Sequence, residues 1–495
     1  MIDNFIAGSV ALFGDPFTIG IFVFGVIGGM LFGAIPGVSM LTLAAILLPF
    51  TASLDPAQGV MLFAVIYCTG TYGGAITAIL FNIPGAPENA PTAFDGYPMT
   101  RKGQSGKAVG AAVLCSAIGG ISSALVMMAA TEPLANWAIS NIGPPEIFAL
   151  VFFGLAVASS VGGRTLWKGW MSVLLGLLIA TIGQDPVGGI NRYNFGFSDL
   201  AAGIAFVPAI LGFFAVSEIF VQAEKKAIGM YEAPKLSVDF PTILELWTHK
   251  IAVVRSILVG FFCGILPGIG ATLAAFMGYG EAVRWSKNKE SFGKGNLEGV
   301  ISSETANNAA TGAAMIPLLA LGLPGGALTA MMVAVFQMHD LEPGPLVFYN
   351  SPDLIWIVFA AMFYANVSIL FIGLIETKTI LYLLKIPFQF LAPMILLLAS
   401  IGSYIGRGLV LDVMVMFISG IMGFLLRRSG YSIPGIVLGI ILGKIGEQNF
   451  AQGMQMVHYD LLEYLSRPIC LLLIVAGSLT LLAGIYKALS FSFKS

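Results

Sequence analysis

Apolar residues run in stretches of membrane-spanning length from end to end of this 495-residue chain, and no polar region between them is long enough to fold alone. Such stretches predict transmembrane helices. Two of them carry the same interruption. Gly33-Ala34-Ile35-Pro36-Gly37-Val38-Ser39 returns 231 positions later as Gly264-Ile265-Leu266-Pro267-Gly268-Ile269-Gly270. Pro-Gly at the centre of a lipid-facing helix frees N–H and C=O groups that hydrocarbon cannot satisfy, so the break persists only where it faces protein or a watery cavity. Paired breaks, one per half, are the pattern of sites built at the interface of duplicated transmembrane units.

Further stretches support a duplication. Tyr72 to Ile76, running on to Asn82-Ile83-Pro84-Gly85, resembles Thr311 to Met315 running on to Gly322-Leu323-Pro324-Gly325, at an offset of 240. Gly163-Arg164 and Gly406-Arg407 close similar runs at an offset of 243, and Phe197–Phe220 and Tyr431–Glu447 occupy matching places. Offsets that grow slowly are what one duplicated unit with small insertions produces. The expected layout is a first transmembrane repeat over 1–222, a cytoplasmic linker over 223–250, a second repeat over 251–466 and an extra C-terminal transmembrane helix over 467–495.

Basic residues orient the repeats, because cytoplasmic loops retain Lys and Arg. Lys225, Lys226, Lys235 and Lys250 precede the second Pro-Gly segment, and Arg284, Lys287, Lys289 and Lys294 follow it. The first copy is flanked by Asp3, Asp15 and Asp55, without Lys or Arg. The loops after the second paired motif agree: Arg101, Lys102 and Lys107 against His339, Asp340 and Glu342. The fold expected is therefore all-α and polytopic, with about 10–12 transmembrane segments, two re-entrant or broken-helix hairpins and two inverted-topology repeats. Arg192 and Arg407 fall on the wrong side in this scheme.

Composition narrows the class: 57% of residues are hydrophobic and only 10% charged, against about a quarter charged in soluble domains. Sixty glycines predict helices packed closely through small residues. Cys68, Cys115, Cys263 and Cys470 all lie in apolar segments without metal-ligand spacing and read as buried, inert thiols. The net charge of -2 says nothing about partners, and no basic cluster suggests nucleic acid. Gly28, Gly29 and Gly33 approach a dinucleotide fingerprint but lack its βαβ context.

Candidate chemistry collects at the breaks. After Pro36 and Pro267 a half-helix should restart with bare N–H groups and the positive end of its dipole at the gap. Gly37, Ser39 and Thr42 in one half, and Gly268, Gly270 and Thr272 in the other, would let an anion approach those donors; a carboxylate is the natural ligand. The bland alternative is a kinked helix. Asn82 to Thr92, broken by Pro84, Gly85, Pro87 and Pro91, excludes a continuous helix, and Asn82 and Thr92 are plausible ligands of substrate or cation. Gly85 and, beside Pro324, Gly325 complete the two motifs. Asp95-Gly96 reads as a turn at the cytoplasmic mouth. In Ser302 to Gly312, Asn307, Asn308 and Thr311 offer donors and acceptors to a multi-carboxylate ligand. Glu304 is read in two ways: as a membrane-depth carboxylate that carries a coupling proton or contacts Na⁺, or as the dipole complement of a helix capped by Ser302 or Ser303. Ion coupling thus falls on Glu304, Asn82 and Asn307. Arg164 and Arg407 read as snorkelling to headgroups. No cofactor or catalytic arrangement is expected.

The two Pro-Gly segments, Tyr72 to Pro98, and Ser303-Glu304-Thr305-Ala306-Asn307-Asn308 through to Pro343-Gly344-Pro345 closely resemble the large membrane subunit (TctA) of the tripartite tricarboxylate transporters. The resemblance runs over nearly the whole chain, including Asp185 to Phe197 and Arg427 to Glu447. It implies a bacterial inner-membrane importer of carboxylates such as citrate, driven by an ion gradient. It also implies two partners, a small four-helix membrane subunit and a periplasmic solute-binding protein. Homo-dimerisation is left open, as is the choice of Na⁺ or H⁺. The residues alone add an elevator-like displacement as the expected mode. The rivals are a channel or exporter of the same architecture, and an intramembrane lipid-modifying enzyme using Glu304 and Asp95.

Overall fold

The computed structural model describes residues 1–35, 38–161, 165–185, 188–224, 241, 243–266, 270–383 and 388–492. The chain begins with α1 (Ile2–Gly14). Asp15 then caps α2 (Pro16–Ala34), accepting from the Thr18 N–H at 2.8 Å and the Thr18 hydroxyl at 2.7 Å. Pro16 takes the first helical position, where an N–H would be unsatisfied anyway. The hydroxyl bond, and then the backbone bond, hold the Asp15 carboxyl below its usual range.

α2 stops short of Pro36 and the chain resumes as α3 (Met40–Leu47), prolonged by a 3₁₀ turn over Leu48–Ser53. α4 (Pro56–Phe81) opens on a capping box of Asp55 and Gln58 and is buried from Gln58 to Leu80. A 3₁₀ turn over Pro87–Asn89 leads into α5 (Ala90–Arg101). Next come α6 (Ser105–Asn141), α7 (Pro144–Val161) and α8 (Leu166–Ala180). A short antiparallel pair, Gly183–Gln184 with Asn191–Arg192, precedes α9 (Phe206–Ile210). α9 passes through a π-helical stretch, Leu211–Val216, into α10 (Ser217–Glu224).

The second half begins with a similar break. α11 (Ile243–Thr248) and α12 (Lys250–Ile265) stop short of Pro267, and α13 (Gly270–Trp285) resumes beyond it. α14 (Leu297–Leu321), α15 (Ala327–Met338), α16 (Val347–Asn350) and α17 (Pro352–Leu383) follow. The chain closes with α18 (Phe388–Ile405), α19 (Val410–Arg428), α20 (Ile433–Met456), α21 (Leu461–Ser466) and α22 (Pro468–Ser492). Among the described residues seven helical stretches are long and apolar enough to cross a membrane: α2, α4, α6, α9 through α10, α19, and parts of α17 and α22. Shorter apolar helices such as α3, α8 and α15 lie between them. The molecule is an all-α polytopic membrane protein.

Burial orders the layers. Every residue of α4 from Gln58 to Leu80 and of α14 from Gly299 to Ala320 is buried, whereas only 17% of the α22 span is. α4 is flanked by α2 and α17, and α14 by α12, α13 and α6. The two flanks use the same contacts. A Cβ on Gly29 would lie 2.1 Å from Thr69 Oγ1, and one on Gly33 would lie 2.4 Å from the Gly70 carbonyl oxygen. In the second half, a Cβ on Gly260 would lie 2.2 Å from the Ala306 carbonyl oxygen, and one on Gly264 would lie 2.6 Å from that of Ala310. Gly29 and Gly260 stand 231 positions apart, as do Gly33 and Gly264. Small residues at these four places let helix backbones touch where no hydrophobic effect drives helices together.

Two arginines depart from the expectation for them. Arg407 does not snorkel: it pairs with Asp412, whose carboxylate is buried, and donates to the Gly203 carbonyl at 3.3 Å. A buried carboxylate needs an opposite charge, and the forked guanidinium one turn away supplies it. Arg192 forms a two-pronged pair with Glu447 at 2.5 and 3.0 Å. Both are partnered cations, so neither reports a loop orientation. Arg164 lies outside the described residues. The four cysteines are free and buried.

Candidate functional site

α14 supplies the centre of the site. Its cap is Asn296, whose side chain accepts from the Glu298 N–H at 2.9 Å. Ser302, Ser303 and Glu304 therefore lie inside the helix, all fully buried. This corrects the reading of Ser302 or Ser303 as caps with Glu304 at a wet end, because the helix starts earlier than the serines suggest. Glu304 is held by three helices. Thr92 of α5 donates to its Oε1 at 2.5 Å, Ser116 of α6 donates to its Oε2 at 2.9 Å, and the Asn307 amide lies 3.4 Å from Oε1. Thr92 Oγ1 also lies 2.9 Å from Ser303 Oγ.

One turn on, the Asn308 amide donates to Asn307 Oδ1 at 2.8 Å and to the Glu304 carbonyl at 3.2 Å. Thr311 donates to the Asn308 carbonyl at 2.8 Å and faces Cys68 of α4 at 3.8 Å. Two oxygens around this network, Asn308 Oδ1 and Asn89 Oδ1, are buried without a partner among the described residues. Buried acceptors are normally satisfied, and a carboxylate among unmatched amide oxygens is a donor set suited to a proton or a small hard cation.

The restarting helices gather beside it, on the stretch of α4 from Tyr67 to Gly74. Met40, the first residue of α3, places its sulfur 3.8 Å from the Thr71 hydroxyl. The Asn89 amide, on the turn before α5, donates to the Thr71 carbonyl at 2.8 Å. The Gly85 N–H donates to the Gly74 carbonyl at 3.3 Å, and a Cβ on Gly85 would lie 1.9 Å from the Gly33 carbonyl oxygen. Gly270 opens α13 at φ 60°, which a side chain would strain, and its Cβ would come within 3.8 Å of Gly326 Cα at the start of α15. A Cβ on Gly326 would in turn lie 4.0 Å from the Tyr67 hydroxyl. Thr272 donates to the buried Glu88 at 3.4 Å. Starts of α3, α5, α13 and α15 thus bring four positive dipole ends to one region.

The expected site residues divide by location. Thr92, Asn307, Asn308 and Thr311 join Glu304, whereas Ser39, Thr42, Gly85, Gly270, Thr272 and Gly325 line the helix starts. Ser39 is half-buried and its side chain makes no cap bond, Thr42 is buried, and Gly325 and Pro324 are buried, Gly325 against Ala314. Asn82 is exposed, ends α4 at φ 58° and makes no side-chain hydrogen bond to the Glu304 network; Pro84 follows it in the same turn. Pro36, Gly37, Pro267 and Gly268 lie outside the described residues.

Asp95-Gly96 is not a turn. α5 continues through both, and fully buried Asp95 accepts from the Gly295 and Asn296 N–H groups, each at 2.8 Å, and from the Tyr279 hydroxyl at 2.9 Å. Donors from the other half satisfy the carboxylate and override its local turn preference. Sequence reasoning missed Ser116, Glu88, Asn89 and Tyr279 as site and clasp residues. Glu88-Asn89 carried a signal, a charge within a Pro-rich break; Ser116 carried none, being one hydroxyl on a 37-residue helix rich in Ala and Gly.

The chain matches the family model described as "Tripartite tricarboxylate transporter TctA family" over residues 19–438. The chain belongs to this family. As a TctA-family protein it is a multi-pass membrane subunit of a tripartite tricarboxylate transporter, a system that also comprises partner subunits and a solute-binding protein. It is 35% identical over 460 residues to an uncharacterized 52.8 kDa protein of the TAR-I ttuC' 3' region of Agrobacterium vitis, covering 92% of this chain and 90% of that one. It is also 35% identical over 218 residues to an uncharacterized protein of the TAR-II ttuC' 3' region of the same organism, covering 44% of this chain and 90% of that one. No solved structure matches the TctA-family chain.

Proposed function

We propose that this subunit is the translocation pathway of a binding-protein-dependent importer in a bacterial inner membrane, moving a di- or tricarboxylate down an H⁺ or Na⁺ gradient. The observation that carries the proposal is the buried Glu304 network joined from α5, α6 and α14, next to four helix starts. The helix starts attract the substrate carboxylates, with Ser39, Thr42, Gly270 and Thr272 at their rims. Glu304, with Asn307, takes the coupling cation. A carboxylate substrate and a cation neutralise each other in one low-dielectric site, which favours their binding together.

The paired close contacts of α2 on α4 and of α12 on α14 support two repeats, and the charge of their flanking loops supports opposite orientations. An elevator-like displacement of the central helices against the outer ones is the mode we favour. The test is reconstitution of the three components in liposomes. Carboxylate uptake should require the binding protein, the small subunit and an imposed ion gradient. Uptake that persists without a gradient or without the binding protein would make the subunit a channel.

A further inference from the structure

One buried carboxylate takes no part in the site described above. Glu376 lies on the inward face of α17, inside the candidate membrane span Pro352–Thr377, and only 4% of it is exposed. Both of its carboxylate oxygens are buried without a hydrogen-bond partner among the described residues. Neighbouring hydroxyls are already committed: Tyr72 of α4 donates to the Gly373 carbonyl at 3.1 Å, Thr377 donates to the same carbonyl at 3.0 Å, and Thr379 donates to the Ile375 carbonyl at 3.3 Å. The Tyr72 ring packs directly on Gly373, where a Cβ would lie 2.8 Å from the phenol oxygen. That phenol is within electrostatic reach of both Glu376 and Glu304.

We propose that Glu376 is a proton-carrying site, loaded in this conformation and emptied when α17 and α4 rearrange. Among the described residues an ionised carboxylate here has neither donor nor cation to replace the water it lost, and that is among the costliest things a fold can bury. Taking one proton from hydronium forms an O–H bond on one Glu376 oxygen, leaves water behind and removes the charge. Release reverses the step and needs a conformation that admits water or a cation, so deprotonation is tied to movement of α17. Of the elements packed on α17, α4 brings Tyr72, with Glu304 of α14 beyond it; α1, α2 and α6 bring no charged side chain to Glu376 among the described residues. Buried membrane carboxylates of this kind serve as proton relays in pumps and transporters.

The transport part of the proposal rests on the importer reading, whereas proton binding at Glu376 does not, and two experiments separate them. First, the full complex is treated with a hydrophobic carbodiimide, which adds to protonated carboxyls in apolar surroundings, and the adduct is mapped by mass spectrometry. Labelling of Glu376 that falls as pH rises is expected; no adduct at any pH, or labelling indifferent to pH, overturns the proposal. Second, Glu376→Gln, which keeps the shape and mimics the neutral acid, is assayed in liposomes with both partners. Uptake driven by a pH gradient should fall roughly tenfold or more while counterflow exchange of substrate is retained. A Glu376→Gln complex that keeps its pH-gradient response overturns the coupling role. Wild-type complex that moves no carboxylate at all sinks the importer reading, and the labelling still decides the proton site.

Discussion

Thr92 and Glu304 stand 212 positions apart in the chain and share a hydrogen bond of 2.5 Å, with the threonine donating. The bond ties α5 of the first half to α14 of the second. Thr92→Val keeps the side chain's shape and deletes the donor, and should lower stability by about 1–3 kcal/mol because it leaves a buried acceptor short of a partner. Glu304→Gln removes the charge and should reduce gradient-driven uptake roughly tenfold or more. Thermal unfolding in detergent reads the first effect and liposome uptake the second. Full uptake by Glu304→Gln would remove the carboxylate from the coupling site.

Ser39→Ala and Asn308→Ala test the anion site. Ser39 has no cap bond to lose, so its variant should weaken uptake with little change in thermal stability. Asn308 donates to Asn307 and to the Glu304 carbonyl, so its variant should lose both uptake and about 1–3 kcal/mol of stability. Unchanged uptake in both would refute the assignment.

The close approaches at Gly33 and Gly264 make a matched pair of tests. Alanine at either place puts a methyl 2.4 or 2.6 Å from a carbonyl oxygen of the central helix, so α2 or α12 must move outward. Overpacking of this kind costs about 1–3 kcal/mol. Both variants should lower the unfolding temperature by similar amounts, because equivalent contacts are broken. A silent Gly264→Ala beside a destabilised Gly33→Ala would argue against two equivalent halves.

Asp95 clasps the connection between α13 and α14. Asp95→Ala strands two backbone N–H groups and the Tyr279 hydroxyl, so a loss larger than that of Tyr279→Phe, which removes one bond, is expected. Limited proteolysis between Ser286 and Asn296 should speed up in Asp95→Ala. Equal proteolysis in wild type and variant would show that the clasp does not hold that segment.

Opposite orientation of the hairpins has a direct readout. Single cysteines at Ser53 and Lys287, both exposed and each following one hairpin, should react with a membrane-impermeant maleimide from opposite sides. The four native thiols are buried and should give little background. Labelling of both from the same side would rule out inverted repeats.

The sequence by itself determined the class of the molecule and where its helices break. Apolar runs of membrane length have few alternative structures in lipid, and Pro and Gly act on the backbone locally, so α2, α4 and α12 end where residue type says they must. The polar run around Asn307 was legible for the same reason: polarity at membrane depth is expensive and seldom idle. What residue type could not show was partnership. Whether Glu304 lay at a wet end or in a dry network depended on Thr92 and Ser116, which come from two other helices. Asp95 read as a turn because its partners, Tyr279, Gly295 and Asn296, are 184 to 201 positions away. Arg407 read as a lipid anchor until folding placed buried Asp412 beside it. Glu376 drew no notice in an apolar stretch that also carries Lys378 and Thr379. A backbone break is a local property; whether a buried charge is satisfied is decided only when distant helices meet.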